Sequence, residues 1–372
     1  FISYEHSETE KGNVDPSVIM DQQFFSLQST LRGPRLNFGS LFQYRKFQAG
    51  GLYWTPDTEE LNIAVFGLLE REINEFILQI SSRAEYLSVI PKSTSNLSNI
   101  DSSQVVQRNF PIFSAAVGIF KNWKNWELSW GTMLTGRAPS IEDLYSDGPH
   151  LGTYAYEIGQ PKLDLEKTVG FESSLEHNTD KSEIRLTGYQ NFSPNYHINT
   201  KMGDGYEPGA DWIEWGSGSS GWLYKYQMEG HRVLIYGFEF DIKYKLTRLI
   251  NVHGSMSAIR GENLSGNRPL AYMPPGKFLF TTELDMKPVF ASLTLKKVLP
   301  QARLGEFETR TDGYFLVDVN GTYIIHSSKV IHKIIFQVDN IFDQEYYNHL
   351  SRIKLVIPEK GRSIGIQYRM VF

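Results

Sequence analysis

His150 and Glu157 stand close together in a segment, 137–167, that also holds Tyr154 and Tyr156, and a second segment, 201–231, adds Asp204, Glu207, Asp211 and Glu214. Imidazole and carboxylate together suit zinc or iron, and one donor cannot hold a bare cation, so His150 with at least one acid is the smallest set that fits. Acids outnumber bases in both segments, six Asp/Glu against three Lys/Arg in the first and five against two in the second. That bias attracts a cation or cationic chelate rather than an anionic ferric siderophore, although a solvated surface segment gives the same count. Tyr154, Tyr156, Trp212, Trp215 and Trp222 offer faces for a planar ligand or a sugar. A lone loop histidine is more often a surface residue than a ligand, so these donors acquire meaning only if the fold gathers them.

Catalysis has little support. Gly216-Ser-Gly-Ser-Ser220 falls in a loop rather than in the strand-turn-helix setting of a nucleophile elbow, and no phosphate loop, paired-His helix or dinucleotide fingerprint occurs. Neither an enzyme nor a bound cofactor is expected. The absence of Cys excludes disulfides and thiolate metal sites, and a net charge of −5 gives no sign of a nucleic-acid partner.

The elements that must hold these segments show a strict alternation of connection lengths. Long connections occupy 8–21, 47–59, 93–109, 137–167, 201–231, 261–274, 300–313 and 343–360, while the links between them are as short as 33–34, 73–74, 121–125, 178–181, 247–249, 287 and 327–329. Soluble sandwiches need no such asymmetry; an outer-membrane barrel does, because turns on one side only reverse the strand while loops on the other meet the environment. The intervening segments have period 2. Leu234, Tyr236, Phe238, Phe240, Ile242, Tyr244 and Leu246 oppose Gly237, Glu239, Asp241, Lys243 and Lys245, one face for lipid and one for water. The final segment repeats this with Ile364, Ile366, Tyr368, Met370 and Phe372. A soluble antiparallel sheet alternates in the same way, so loop asymmetry decides.

No uncharged apolar run approaches the roughly twenty residues of a membrane helix, and a mean hydropathy of −0.33 suits a barrel, which hides its apolar face in alternation. The segments number about sixteen, an even count. If Phe372 ends on the periplasmic side, the short turns are periplasmic and the long loops extracellular. The chain opens within a strand, with no initiator Met or signal peptide, and is read as a piece of a longer protein.

Motifs narrow the class. Thr135-Gly-Arg-Ala-Pro-Ser-Ile-Glu-Asp-Leu-Tyr-Ser-Asp-Gly-Pro-His150, then Thr153-Tyr-Ala-Tyr-Glu-Ile-Gly159 and Pro161-Lys-Leu-Asp-Leu-Glu166, resemble the mid-barrel signature of TonB-dependent outer-membrane receptors. So do Pro274-Pro275, Val338-Asp-Asn-Ile-Phe-Asp-Gln-Glu-Tyr-Tyr347, Gly361-Arg362 and the terminal Phe372. On this resemblance Arg137, Pro139, Glu166, Asn340, Phe342, Gly361, Arg362 and Phe372 are the family-motif residues. Pro139 ends pairing where a strand leaves the membrane, Arg137 anchors the rim with Glu166 as a candidate partner, and Phe372 joins an aromatic girdle and serves as an assembly signal.

The resemblance implies an all-β, transmembrane antiparallel β-barrel: residues 1–372 are the C-terminal portion, about sixteen strands of a roughly 22-stranded barrel, with the N-terminal plug and first strands missing. It implies a receptor in the bacterial outer membrane that imports a scarce nutrient. The expected partners are outer-membrane lipid, a metal ion or metal chelate (siderophore or haem) as substrate, and the TonB–ExbB–ExbD energy-coupling complex, reached through the missing plug. Arg137-Ala-Pro139, His150 and Pro161-Lys-Leu163 also resemble the box of haem receptors, in which the intervening His is an axial ligand. Two departures weaken haem: Gly136 stands where Phe is expected, and Gln160-Pro-Lys-Leu163 replaces Asn-Pro-Asn-Leu. The remaining alternatives are a complete, plug-less sixteen-stranded general porin and a loop-displaying adhesin.

Overall fold

The computed structural model describes residues 2–8, 18–51, 55–93, 97–150, 155–203, 207, 212–214, 222–306, 308–327, 330–351 and 353–371. Alternating sequence becomes long strands: β1 (Ile2–Glu8), β2 (Val18–Arg32), β3 (Leu36–Gly51), β4 (Thr58–Ile73), β5 (Phe76–Pro91), β6 (Arg108–Trp123) and β7 (Trp126–Arg137). One short helix, α1 (Ile141–Tyr145), and the short strands β8 (Asp147–His150) and β9 (Ala155–Ile158) follow. Next come β10 (Glu166–Asn178), β11 (Ser182–Lys201), a short β12 (Trp212–Glu214), β13 (Trp222–Lys245), β14 (Ile250–Asn263) and a two-residue β15 (Arg268–Pro269). The chain closes with β16 (Lys277–Met286), β17 (Val289–Val298), β18 (Tyr314–His326), β19 (Ile331–Asp339) and β20 (Ser363–Val371).

All twenty strands of the described residues belong to one sheet. Leaving out β8, β9, β12 and β15, which sit in loops, sixteen strands form an antiparallel meander in which each pairs with the next in sequence. The wall matches the expected strand number. No pairing joins β1 to β20 among the described residues.

Register separates the two faces. Phe238 is opposite Gly188 and Ala258, whereas Asp241 is opposite Arg185 and Ser255. The polar face carries ion pairs such as Arg45–Glu60 at 3.2 Å, Arg185–Glu176 at 2.5 Å and Lys243–Glu183 at 3.0 Å. It is also the inner face, because toward the loop end the same registers continue as Phe47, Val89, Phe110 and Ile112, which are buried under the folded loop 138–165. The opposite register exposes Leu27, Phe38, Ile63, Phe113, Phe278 and Ile366. An exposed apolar surface of this extent requires an apolar solvent.

Three expected loops are shorter than alternation suggested, the first because β2 already begins at Val18. β11 runs through Lys201 and β13 begins at Trp222, so 222–231 is strand rather than loop, and β3 likewise continues to Gly51. Above the membrane both strand faces meet polar surroundings, which removes the lipid-imposed period that marks a strand in sequence. The segment 137–167 is not irregular either, since it contains α1 and the β8–β9 hairpin.

Candidate ligand-binding site

The loop between β7 and β10 is built around α1. Ser140 caps it: its hydroxyl accepts from the Asp143 N–H at 3.1 Å, and the Asp143 carboxylate accepts from the Ser140 N–H at 2.9 Å. So short a helix is stable only through packing. Ile141, Leu144 and Tyr145 are fully buried against Phe47, Val89, Phe110, Ile112 and Leu163. The Tyr145 hydroxyl donates to the Val106 carbonyl at 2.6 Å, and burial pushes its pKa up to about 12. Gly159 passes so close to α1 that a Cβ there would lie 2.5 Å from the Leu144 carbonyl carbon. Arg108 closes the loop from β6, donating to the Pro161 carbonyl and, at 3.0 Å, to that of Leu163.

Asp147 ties this loop to its neighbour. Its buried carboxylate accepts from the backbone N–H groups of Ser98 and Asn99 at 2.5 Å and of Ile100 at 3.0 Å, from the Asn99 amide at 2.6 Å and from the Tyr156 hydroxyl at 2.9 Å. Lys225 on β13 donates to Asn99 Oδ1 at 2.8 Å, and β9 pairs parallel with β13 along Tyr224–Gln227. Burial pushes the Tyr156 phenol up to about 12, keeping it a donor. Residues 97–100, the β8–β9 hairpin and β13 therefore form one unit.

Arg137 is the hub at the rim. Its guanidinium lies 2.7 Å from Glu166 Oε2, 3.6 Å from Asp143 and 3.4 Å from His197 Nδ1. A β-bulge between Ser193 and Tyr196 re-aims β11 and places His197 here, with Nε2 2.9 Å from the Asp164 carbonyl. Burial alone would raise Asp143, but His197 at 3.7 Å, the Ser140 N–H bond and the Arg137 guanidinium hold its carboxyl below the ordinary range.

The expected donors are only partly gathered. His150 Nδ1 lies 3.0 Å from Glu157 Oε1 across the β8–β9 hairpin. Glu207 is exposed, and β12 sets Glu214 opposite Trp222 and Trp212 opposite Tyr224. Tyr154, Asp204, Asp211, Trp215 and Phe372 lie outside the described residues. Among the described residues no three His, Asp or Glu side chains are grouped to hold a metal. Tyr156 is 6% exposed and turned into the Asp147 clamp, not toward a ligand. Pro139 is fully buried. At the last loop Asn340, at φ 51°, exchanges hydrogen bonds of 2.9 Å with the Gln344 backbone, and the Arg362 N–H donates to Asp343 at 2.7 Å beside Gly361. Phe342 is 71% exposed in the turn after β19 and belongs to no core.

Glu157 also lines a cavity of about 500 Å³ on the loop side, with His197, Tyr226, Met228, Arg268 and Met273 among its other walls. Carboxylate, guanidinium and thioether face one space, while the His197 imidazole, 1% exposed, is held by Arg137 and the Asp164 carbonyl. Asp147, His197 and the two methionines were not singled out by sequence reasoning, because no local pattern distinguishes a buried loop side chain from a solvated one.

Residues 4–341 match the family model described as TonB dependent receptor-like, β-barrel. The chain belongs to that family. Solved structures share its fold: the copper transporter OprC superposes with a TM-score of 0.76 at 19% identity, covering 93% of this chain and 56% of that one. The FrpB iron transporter from Neisseria meningitidis gives 0.68 at 11% identity, with 95% and 55% coverage. A variant of the ferric enterobactin receptor PfeA from Pseudomonas aeruginosa gives 0.59 at 14%, with 95% and 62% coverage. The chain thus spans a little over half the length of these TonB-dependent receptors.

Proposed function

We propose that this chain is the C-terminal part of the barrel of an outer-membrane receptor that imports a metal ion or metal chelate by TonB-coupled transport. Further strands and a plug, the latter in contact with TonB–ExbB–ExbD, complete it in the full-length protein. The observation that carries the reading is Glu157, which pairs with His150 and lines the loop-side cavity within a TonB-dependent receptor barrel. The names of the structural neighbours, which carry copper, iron and ferric enterobactin, support the substrate class.

Imidazole and carboxylate favour borderline divalent ions, whereas the Met228 and Met273 thioethers on the same cavity favour a softer ion such as copper(I). The test is binding of zinc, copper(I), a ferric chelate and haem to the full-length receptor and to His150→Ala, Glu157→Gln and Met228→Leu variants. Loss of zinc in the first two variants supports a hard or borderline cargo, and loss of copper in the third supports the soft one. Unchanged binding of every ligand in all three would remove these residues from the site.

A further inference from the structure

The outward face of the sheet carries a groove that neither the loops nor the lumen explains. It has a volume of about 480 Å³, and Phe240, Met256, Phe278, Phe280 and Phe315 line it. Two register rows define it. Phe315, Lys297, Phe278, Met256 and Phe240 lie side by side on β18, β17, β16, β14 and β13, and the next outward row is Val317, Leu295, Phe280, Gly254 and Ile242. Gly254 supplies no side chain between Ile242 and Phe280, and the missing bulk deepens the trough.

A cation stands at one end. Lys297 is the penultimate residue of β17, at its loop end, and is exposed between the Phe278 and Phe315 positions. Arg260 is also exposed and outward, two outward positions above Met256 on β14 and opposite Tyr236. Among the described residues neither cation has an ion-pair or hydrogen-bond partner for its side chain. The acid nearest in register to Arg260, Glu262, is held by Arg303 at 2.8 Å. This contrasts with the inner face, where Arg45, Arg185 and Lys243 are each paired. A long basic side chain whose stem crosses apolar rings holds its charge at the membrane interface.

We infer that this groove is a binding site for a lipid of net negative charge, its acyl chain along the trough and its anionic headgroup on Lys297 and Arg260. The inference rests on the membrane placement proposed above. An apolar trough would accept any acyl chain, so the two unpaired cations confer the selectivity, each strengthening anionic-lipid binding roughly fivefold.

The test titrates the full-length receptor in detergent with dioleoyl phosphatidylglycerol or dioleoyl phosphatidylcholine and counts bound lipid by native mass spectrometry. Wild type should prefer phosphatidylglycerol; Lys297→Gln and Arg260→Gln should each weaken that lipid roughly fivefold and leave phosphatidylcholine unchanged. The lumenal Lys243→Gln should change neither, and all variants are first checked for the heat-resistant compact barrel on gels. A photo-crosslinking p-benzoylphenylalanine replacing Phe315 should capture phosphatidylglycerol, and one replacing the outward Phe171 on β10 should do so far less. Equal headgroup binding by wild type and both variants, or equal capture at the two positions, would mean annular lipid only and overturn the site. Absence of lipid capture at both positions would instead overturn the membrane placement itself.

Discussion

Asp147 shows how much one carboxylate can organise. Three backbone N–H groups of a neighbouring loop converge on it, so replacing it by Ala takes the acceptor from all three, and the buried Ile100 N–H alone costs roughly 1 to 3 kcal/mol when left unsatisfied. Asp147→Ala should therefore speed amide exchange of 97–107 and 147–158 by at least tenfold while exchange in β16–β19 stays constant; unchanged exchange in the two loops would remove the clamp. His349 offers a pH-dependent counterpart. Its Nε2 lies 3.0 Å from Glu308, and its Nδ1 lies 2.9 Å from Thr311 Oγ1 and 3.2 Å from Lys354 Nζ. Burial, then the Lys354 ammonium, push the imidazole below its ordinary 6.5, and Glu308 opposes them only in part. The folded latch thus holds neutral imidazole. Stability from it is present above the unfolded value of 6.5 and is lost as pH falls through the lower folded value, because the unfolded loop takes up the proton first. After correction for intrinsic rates, exchange in 340–351 should rise between about pH 7.5 and pH 5, and His349→Gln should flatten that dependence. Neither residue's role was legible in sequence. Arg137 and Glu166 pair by motif, but the backbone N–H partners of Asp147 lie 47 to 49 residues away along the chain, beyond the reach of any local pattern.

At the scale of elements, α1 turns a long loop into a fixed inner surface. Leu144 is completely buried in a cluster drawn from β3, β5 and β6, so Leu144→Ala leaves a cavity costing about 2 to 5 kcal/mol. That cost exceeds what five helical residues supply by themselves. The loop should detach while the wall stays paired, so trypsin should cut within 138–165 of the variant and ligand binding should fall, with the compact barrel band on gels unchanged. A barrel that fails to assemble would show instead that the loop helps build the wall. The strands of that wall were legible because period 2 is a local signal enforced by two solvents. α1 was not extracted, although Ser140 and Asp143 have capping-box spacing, because its apolar residues Ile141, Leu144 and Tyr145 make only one turn.

For the whole molecule, the decisive question is which medium meets which face and which end. Phe238 is outward and 39% exposed in the middle of β13, so Phe238→Arg near the midplane should cost roughly 2 to 4 kcal/mol in refolding into lipid. Asp241→Asn, on the inner face, should cost much less, and comparable losses would reject the register. The ends follow from connectivity: the longer connections, including 138–165 and 264–276, share one side, and the short turns at Asn74, Lys124 and 179–181 share the other. Because the chain has no cysteine, single replacements report without background. Lys162→Cys and Leu264→Cys in the full-length receptor should react with an impermeant maleimide on intact cells, whereas Asp180→Cys and Ser327→Cys should react only after the outer membrane is opened. The reverse pattern would invert the orientation and carry the cavity lined by Glu157 to the periplasmic side, where it could not meet an external nutrient. Equal reaction of all four on intact cells would remove the wall from the membrane altogether.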